Sequence, residues 1–95
     1  MYVQIVKFQL RPGTSCEAFL ELTAQMIIWL KSQEGFVSYE LYQGSDCWLD
    51  RISWESARHA QSGLEEFLKT SIAQQIMQAV EAGHSSFFGE AVVSA

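Results

Sequence analysis

The sequence predicts one α+β domain, with four strands and two helical stretches in the order βαββαβ, and three observations carry that prediction. Apolar residues alternate at both ends and twice in the middle, stretches of helical spacing separate these runs, and Gly or Pro punctuates the junctions. The length of 95 residues suits a single domain over 1–95 with no second core. A chain this short buries only roughly 60–65 per cent of its unfolded surface, yet 48% of its residues are apolar and 13% aromatic. That surplus predicts a subunit interface, a ligand cavity, or both.

Tyr2 to Leu10 alternates, with Gln4, Val6, Phe8 and Leu10 on one face and Val3, Ile5, Lys7 and Gln9 on the other, the period of a strand. Arg11-Pro12-Gly13 ends it as a turn. Thr14 and Glu17 form a capping box for a helix from about Ser15 to about Ser32. Within it Cys16, Phe19, Leu20, Thr23, Ile27 and Leu30 make the core stripe, and Leu22, Met26 and Trp29 a second apolar row. Gly35 stops the helix, and Phe36 to Tyr42 reads as a strand. Gln43-Gly44-Ser45-Asp46 is hairpin-turn chemistry before the returning strand Cys47 to Trp54.

Ser56 is placed to cap a second helix, which Gly63 weakens or bends before Leu64, Phe67 and Leu68 resume the apolar face. After a turn near Ser71, Ile72, Ile76, Ala79 and Val80 fit a helix ended by Gly83. Ser86 to Val93 is the fourth strand. Right-handed crossovers turn this order into a ferredoxin-like four-stranded antiparallel sheet with the helices on one face.

The net charge of −5, with no Lys/Arg cluster, gives no footprint for nucleic acid or anionic lipid. The longest apolar run, Met26 to Leu30, is far short of the ~20 residues that span a bilayer. No signal-peptide pattern opens the chain, so a cytoplasmic protein is expected. Cys16 and Cys47 lack close partners and are expected to be buried thiols. The glutamates, Glu65-Glu66 among them, have no convergent His or Cys, so no metal site is expected. No phosphate loop or nucleophile elbow is present.

Arg11-Pro12-Gly13 after the first strand, Glu34-Gly35-Phe36 before the second and Trp54-Glu55-Ser56 at the second helix resemble, in residue type and spacing, the antibiotic biosynthesis monooxygenase family. The resemblance extends over nearly the whole chain. It implies a homodimer in which two sheets pack into one dimeric α+β barrel, each subunit keeping a cavity between sheet and helices. It also implies a cofactor-independent monooxygenase, without metal, haem or flavin, acting on a small aromatic, phenolic or quinol-type molecule. The alternative is a non-catalytic small-molecule-binding or stress-related dimer on the same scaffold. The haem-degrading branch resembles the chain less: Val6, Gly63 and Ala73 stand where its Asn, Trp and His are matched.

Such chemistry needs a base, a dry cavity and polar groups that hold the substrate. His59 follows Trp54-Glu55-Ser56 as in quinol-oxygenating relatives and is the expected base, since imidazole takes a proton near neutral pH. Gly63 replaces a second His found four residues later in those relatives, and a helix histidine with no chemical role is the alternative for His59. Tyr39, Tyr42, Trp48 and Gln4 are the expected substrate contacts. By alternation Tyr39 and Tyr42 lie on opposite strand faces, so at most one meets the cavity. Gln4 sits among apolar neighbours and needs a partner if buried, or lies at a strand edge. Trp54 is read as structural, and His84 as a helix-end or loop residue.

Overall fold

The computed structural model describes residues 1–95. Its elements are β1 (Tyr2–Phe8), α1 (Cys16–Lys31), β2 (Phe36–Gln43), β3 (Trp48–Trp54), α2 (Ala57–Phe67), α3 (Ser71–Ala79) and β4 (Ser85–Glu90). The strands form one antiparallel sheet in the order β2-β3-β1-β4, the ferredoxin-like arrangement expected of this element order. No helix is long and apolar enough to cross a membrane.

Local chemistry sets the helix ends, with small departures from the expected ones. Ser15, not Thr14, caps α1, its hydroxyl accepting from the Ala18 amide at 3.1 Å; with two adjacent hydroxyl residues, spacing alone does not choose between them. The second helical stretch is two helices. Ser56 caps α2 through the His59 amide, and Thr70 caps α3 through the Ala73 amide. Gly63 neither ends nor interrupts α2. It is buried, and the Trp54 ring occupies the space a Cβ there would need.

The buried stripe of α1 is Phe19, Thr23, Met26 and Leu30. Cys16 is exposed at the helix start and Cys47 half-buried, which corrects the expectation of two buried thiols. The interior has two apolar clusters, one around Met26, Leu30, Trp54 and Ala60, the other around Phe8, Phe19 and Ala79. Phe19 joins Phe8 and Trp48 in the second, with ring centroids 5.5 and 5.3 Å apart.

A bulge at Val37 shifts the β2–β3 register between Phe36 and Ser38. A bulge inserts one residue, so the two sides of β2 exchange faces there. Tyr39 and Leu41 therefore join Phe36 on the helix-covered face, paired with Ile52 and Asp50. Alternation alone would put Val37 and Leu41 on one face; instead Val37 is exposed and Leu41 packs in the interior. β4 starts one residue earlier and stops three earlier than expected. A bond from the Ala91 amide to the Met1 carbonyl, 2.9 Å, closes its ladder, leaving Val92 and Val93 exposed.

Candidate functional site

Between the helix-covered sheet face and the three helices lies a cavity of about 430 Å³, within the range of small-molecule sites. Its floor is the alternating face of β1 and β3: Gln4, Val6 and Phe8 beside Asp50, Ile52 and Trp54. Met26, Trp29 and Leu30 of α1 and Phe67 of α2 wall it with apolar surface. Leu68 and Met77, 55% and 58% exposed, stand at its rim.

Beside the buried polar side chains of Gln4 and Thr23, a polar pair faces this cavity. The Tyr39 hydroxyl donates to Oδ2 of Asp50 at 3.1 Å, while Oδ1 of the same carboxyl is buried without a partner. Burial pushes the Asp50 carboxyl up to about 6, against the opposing pull of the Tyr39 hydrogen bond. Burial, and then the nearby Asp50 carboxylate, hold the Tyr39 phenol well above its ordinary value. Asp50 is thus an acid–base group that changes charge close to neutrality, facing an apolar cavity.

Of the residues singled out from sequence, Gln4 and Tyr39 line the cavity, and Gln4 is 8% exposed. Tyr42 projects from the opposite sheet face and is 49% exposed. Trp48 lies on the cavity side of the sheet but packs against Phe19 in the second apolar cluster and is not part of the lining. His59 also stands outside the cavity. Its Nδ1 is 2.8 Å from Ser56 Oγ and its Nε2 3.7 Å from a Glu34 carboxylate oxygen, with the ring over Gly35. Gly35 has φ +81, and any Cβ there would strike that ring. The geometry ties His59 into the junction of α2 with the α1–β2 turn, apart from the cavity lining.

Three lining residues escaped the sequence reading of the site. Asp50 carried a usable signal, since Trp48, Asp50, Ile52 and Trp54 share one face of β3; an acid among such neighbours is buried with them. His84 was assigned to a helix end or loop; it does sit in the α3–β4 loop, and there it lines the cavity. Arg11, read as part of a turn, reaches the same end, with Nε donating to the Val80 carbonyl at 2.9 Å. No group of three or more His, Cys, Asp or Glu side chains converges to hold a metal ion.

The model of the antibiotic biosynthesis monooxygenase family matches residues 1–79. No curated protein matches the chain. Among solved structures, the chain is similar to SnoaB, a cofactor-independent oxygenase from Streptomyces nogalater. The TM-score is 0.82 at 14% identity, covering 98% of this chain and 94% of that one. It is also similar to At3g17210 from Arabidopsis thaliana (TM-score 0.85, 9% identity, 100% and 99% covered). Rv0793 from Mycobacterium tuberculosis gives a TM-score of 0.74 at 18% identity, with 99% and 97% covered. At such identities the likeness speaks for the fold.

Proposed function

We propose that this chain, which belongs to the antibiotic biosynthesis monooxygenase family, oxygenates a small phenolic or quinol-type aromatic molecule in its cavity without metal or flavin. The observation that carries this reading is the Asp50–Tyr39 pair among the apolar walls of the cavity. A phenol reacts with oxygen only when made electron-rich, and loss of its proton does that. Raising a carboxyl from 3.8 to about 6 makes proton transfer from a phenol about 3 kcal/mol less uphill than transfer to an ordinary Asp.

In this mechanism Asp50 takes the phenolic proton, and Tyr39 holds the carboxyl in place through Oδ2. Gln4 offers its amide to a substrate oxygen, and the apolar walls keep water from the anion. For a hydroxyanthracene-type substrate the anion's charge reaches a ring carbon that carries two hydrogens in the keto form. Oxygen adds there as a hydroperoxide, and loss of water leaves a carbonyl. The CH2 carbon plus O2 becomes C=O plus H2O, so dioxygen is the only oxidant required.

The test is oxygen uptake and absorption spectra with a panel of quinols and hydroxyanthracene-type phenols. Product above the autoxidation rate, lost in Asp50→Asn, supports the reading. Binding without turnover would favour the non-catalytic small-molecule binder.

The working unit in this proposal is a homodimer. Val3, Ile5, Leu49, Tyr42 and Phe87 share the sheet face that no helix covers, with Tyr42 and Phe87 49% and 59% exposed. That face also carries Lys7 and the Arg51–Glu40 ion pair, and exposed apolar side chains grouped within a polar surround mark interaction sites. A second copy, presenting the same face about a two-fold axis, is self-complementary to it.

A further inference from the structure

The geometry points to an aromatic hydroxy acid as the ligand: rings in the apolar cavity, a hydroxyl toward Asp50, and a carboxylate at the α3–β4 end held by Arg11 and His84. This inference rests on reading the cavity as the ligand site, and adds to it the chemistry of the ligand's far end.

The cavity is not apolar throughout. Glu81, Ala82, Gly83 and His84 form a wall it shares with a second pocket of about 270 Å³, whose other lining includes Lys7, Gln9, Cys47 and Ser85. An apolar chamber that continues into a polar one suits a molecule with an apolar body and a polar head. Arg11 stands at this junction and is held from two sides. Its backbone amide donates to the Ala79 carbonyl at 2.8 Å, and its Nε to the Val80 carbonyl at 2.9 Å. The first anchors the backbone; the second holds the guanidinium by its Nε edge and leaves the two terminal nitrogens as a fork, the geometry that matches a carboxylate.

Charge favours the same head group. The ion pairs of the chain are Met1–Glu90, Arg51–Glu40, His59–Glu34 and Lys69–Glu66, and Arg11 is in none of them. An unpaired guanidinium at a cavity end is notable in a chain of net charge −5. His84 adds an imidazole N–H, which is a donor in either protonation state, and Lys7 a second cation in the adjoining pocket. Glu81 is the one carboxylate lining this junction, and it lies beyond ion-pair distance of Arg11. Val6, opposite Asp50 in the sheet, precedes Arg11 by five residues, which is at most about 16 Å of extended chain. That upper bound leaves room for a fused-ring body between hydroxyl and carboxylate.

The experiment titrates the protein with hydroxynaphthoate and, separately, with the corresponding naphthol, at neutral pH and low salt. Quenching of Trp29 and Trp54, which both line the cavity, reports binding. Hydroxynaphthoate is expected to bind at least tenfold more tightly than naphthol, and added salt should weaken only the acid. Arg11→Gln should erase the preference while leaving naphthol affinity within about twofold, which also shows that the variant is folded. His84→Gln should reduce the preference less, and Lys31→Gln, at the far end of α1, should leave it intact. Equal affinities, or a preference that survives Arg11→Gln, would overturn the hydroxy-acid assignment while the cavity reading stands. Failure of both probes to bind would overturn the cavity reading and this inference together.

Discussion

The Tyr39 hydroxyl and the Asp50 carboxyl meet at 3.1 Å across the β2–β3 pair, on the side of the sheet that the helices cover. Each residue reaches the cavity for a different local reason. Asp50 follows the alternation of β3, whereas Tyr39 is turned inward by the bulge at Val37. Without that bulge, alternation from Phe36 would turn Tyr39 to the outer face with Val37 and Leu41, and Asp50 would lose its one side-chain donor.

Asp50→Asn is expected to lower turnover by roughly a hundredfold or more, the usual contribution of a positioned base. It should also change stability in a pH-dependent way. The Asp50 pKa is raised in the folded state, so between about 4 and about 6 the native protein binds more protons than the unfolded chain. Stability from this group is then lost as pH rises through that window, by about 3 kcal/mol at most. Urea unfolding from pH 4 to 7 should show a shallower fall for Asp50→Asn. An unchanged slope would mean that Asp50 titrates normally.

The fold was legible because the strand alternation and the helix stops are local signals. Tyr2 to Phe8 and Trp48 to Trp54 needed only period and punctuation; in α1 helical spacing found Phe19, Thr23 and Leu30 but put the exposed Cys16 and Leu20 in the core stripe and Met26 beside it. The face of β2 was not legible beyond Val37, because a bulge breaks parity without any residue type that announces it. The site was less legible still. Asp50 was readable from its own strand's alternation, but Arg11 and His84 come together only because β1 and the α3–β4 loop end at one edge of the cavity. His59 drew attention through a motif whose histidine here braces a turn.

Gly63→Ala is expected to destabilise the protein by about 1–3 kcal/mol, the common cost of overpacking. The reason lies in Trp54, 1% exposed, whose ring fills the space above Gly63. On an open helix surface Gly→Ala would instead stabilise by up to about 1 kcal/mol. The sign of the shift in urea midpoint therefore decides whether Trp54 packs this closely in solution.

His59→Ala is expected to keep kcat within about twofold while lowering stability by about 1 kcal/mol. Its ring lies outside the cavity and contacts Ser56, Gly35 and Glu34, so the change removes packing and a side-chain hydrogen bond at the α2 N-terminus. Steady-state kinetics alongside thermal unfolding separate the alternatives. A hundredfold fall in kcat at unchanged stability would return the role of base to His59.

Ile5→Glu is expected to convert a dimer into a monomer. Ile5 is centred on the uncovered face, opposite Arg51 on one side and Phe87 on the other, and faces away from the cavity floor formed by Gln4 and Val6. A two-fold axis through this face would bring the two copies of a central residue near each other, so one substitution places two carboxylates in an apolar interface. Arg51, opposite position 5, is already paired with Glu40, so each copy gains a surplus carboxylate that an interface on the order of 1,500 Å² in total has little to offset. Sedimentation of the wild type should give about twice the 10.7 kDa chain mass, and of Ile5→Glu the single chain. Lys31→Glu, on the last turn of α1 and exposed, changes charge in the same direction and should stay dimeric. If the wild type sediments as a single chain at micromolar concentration, the uncovered face is not a self-association surface, and each cavity must be complete within its own chain.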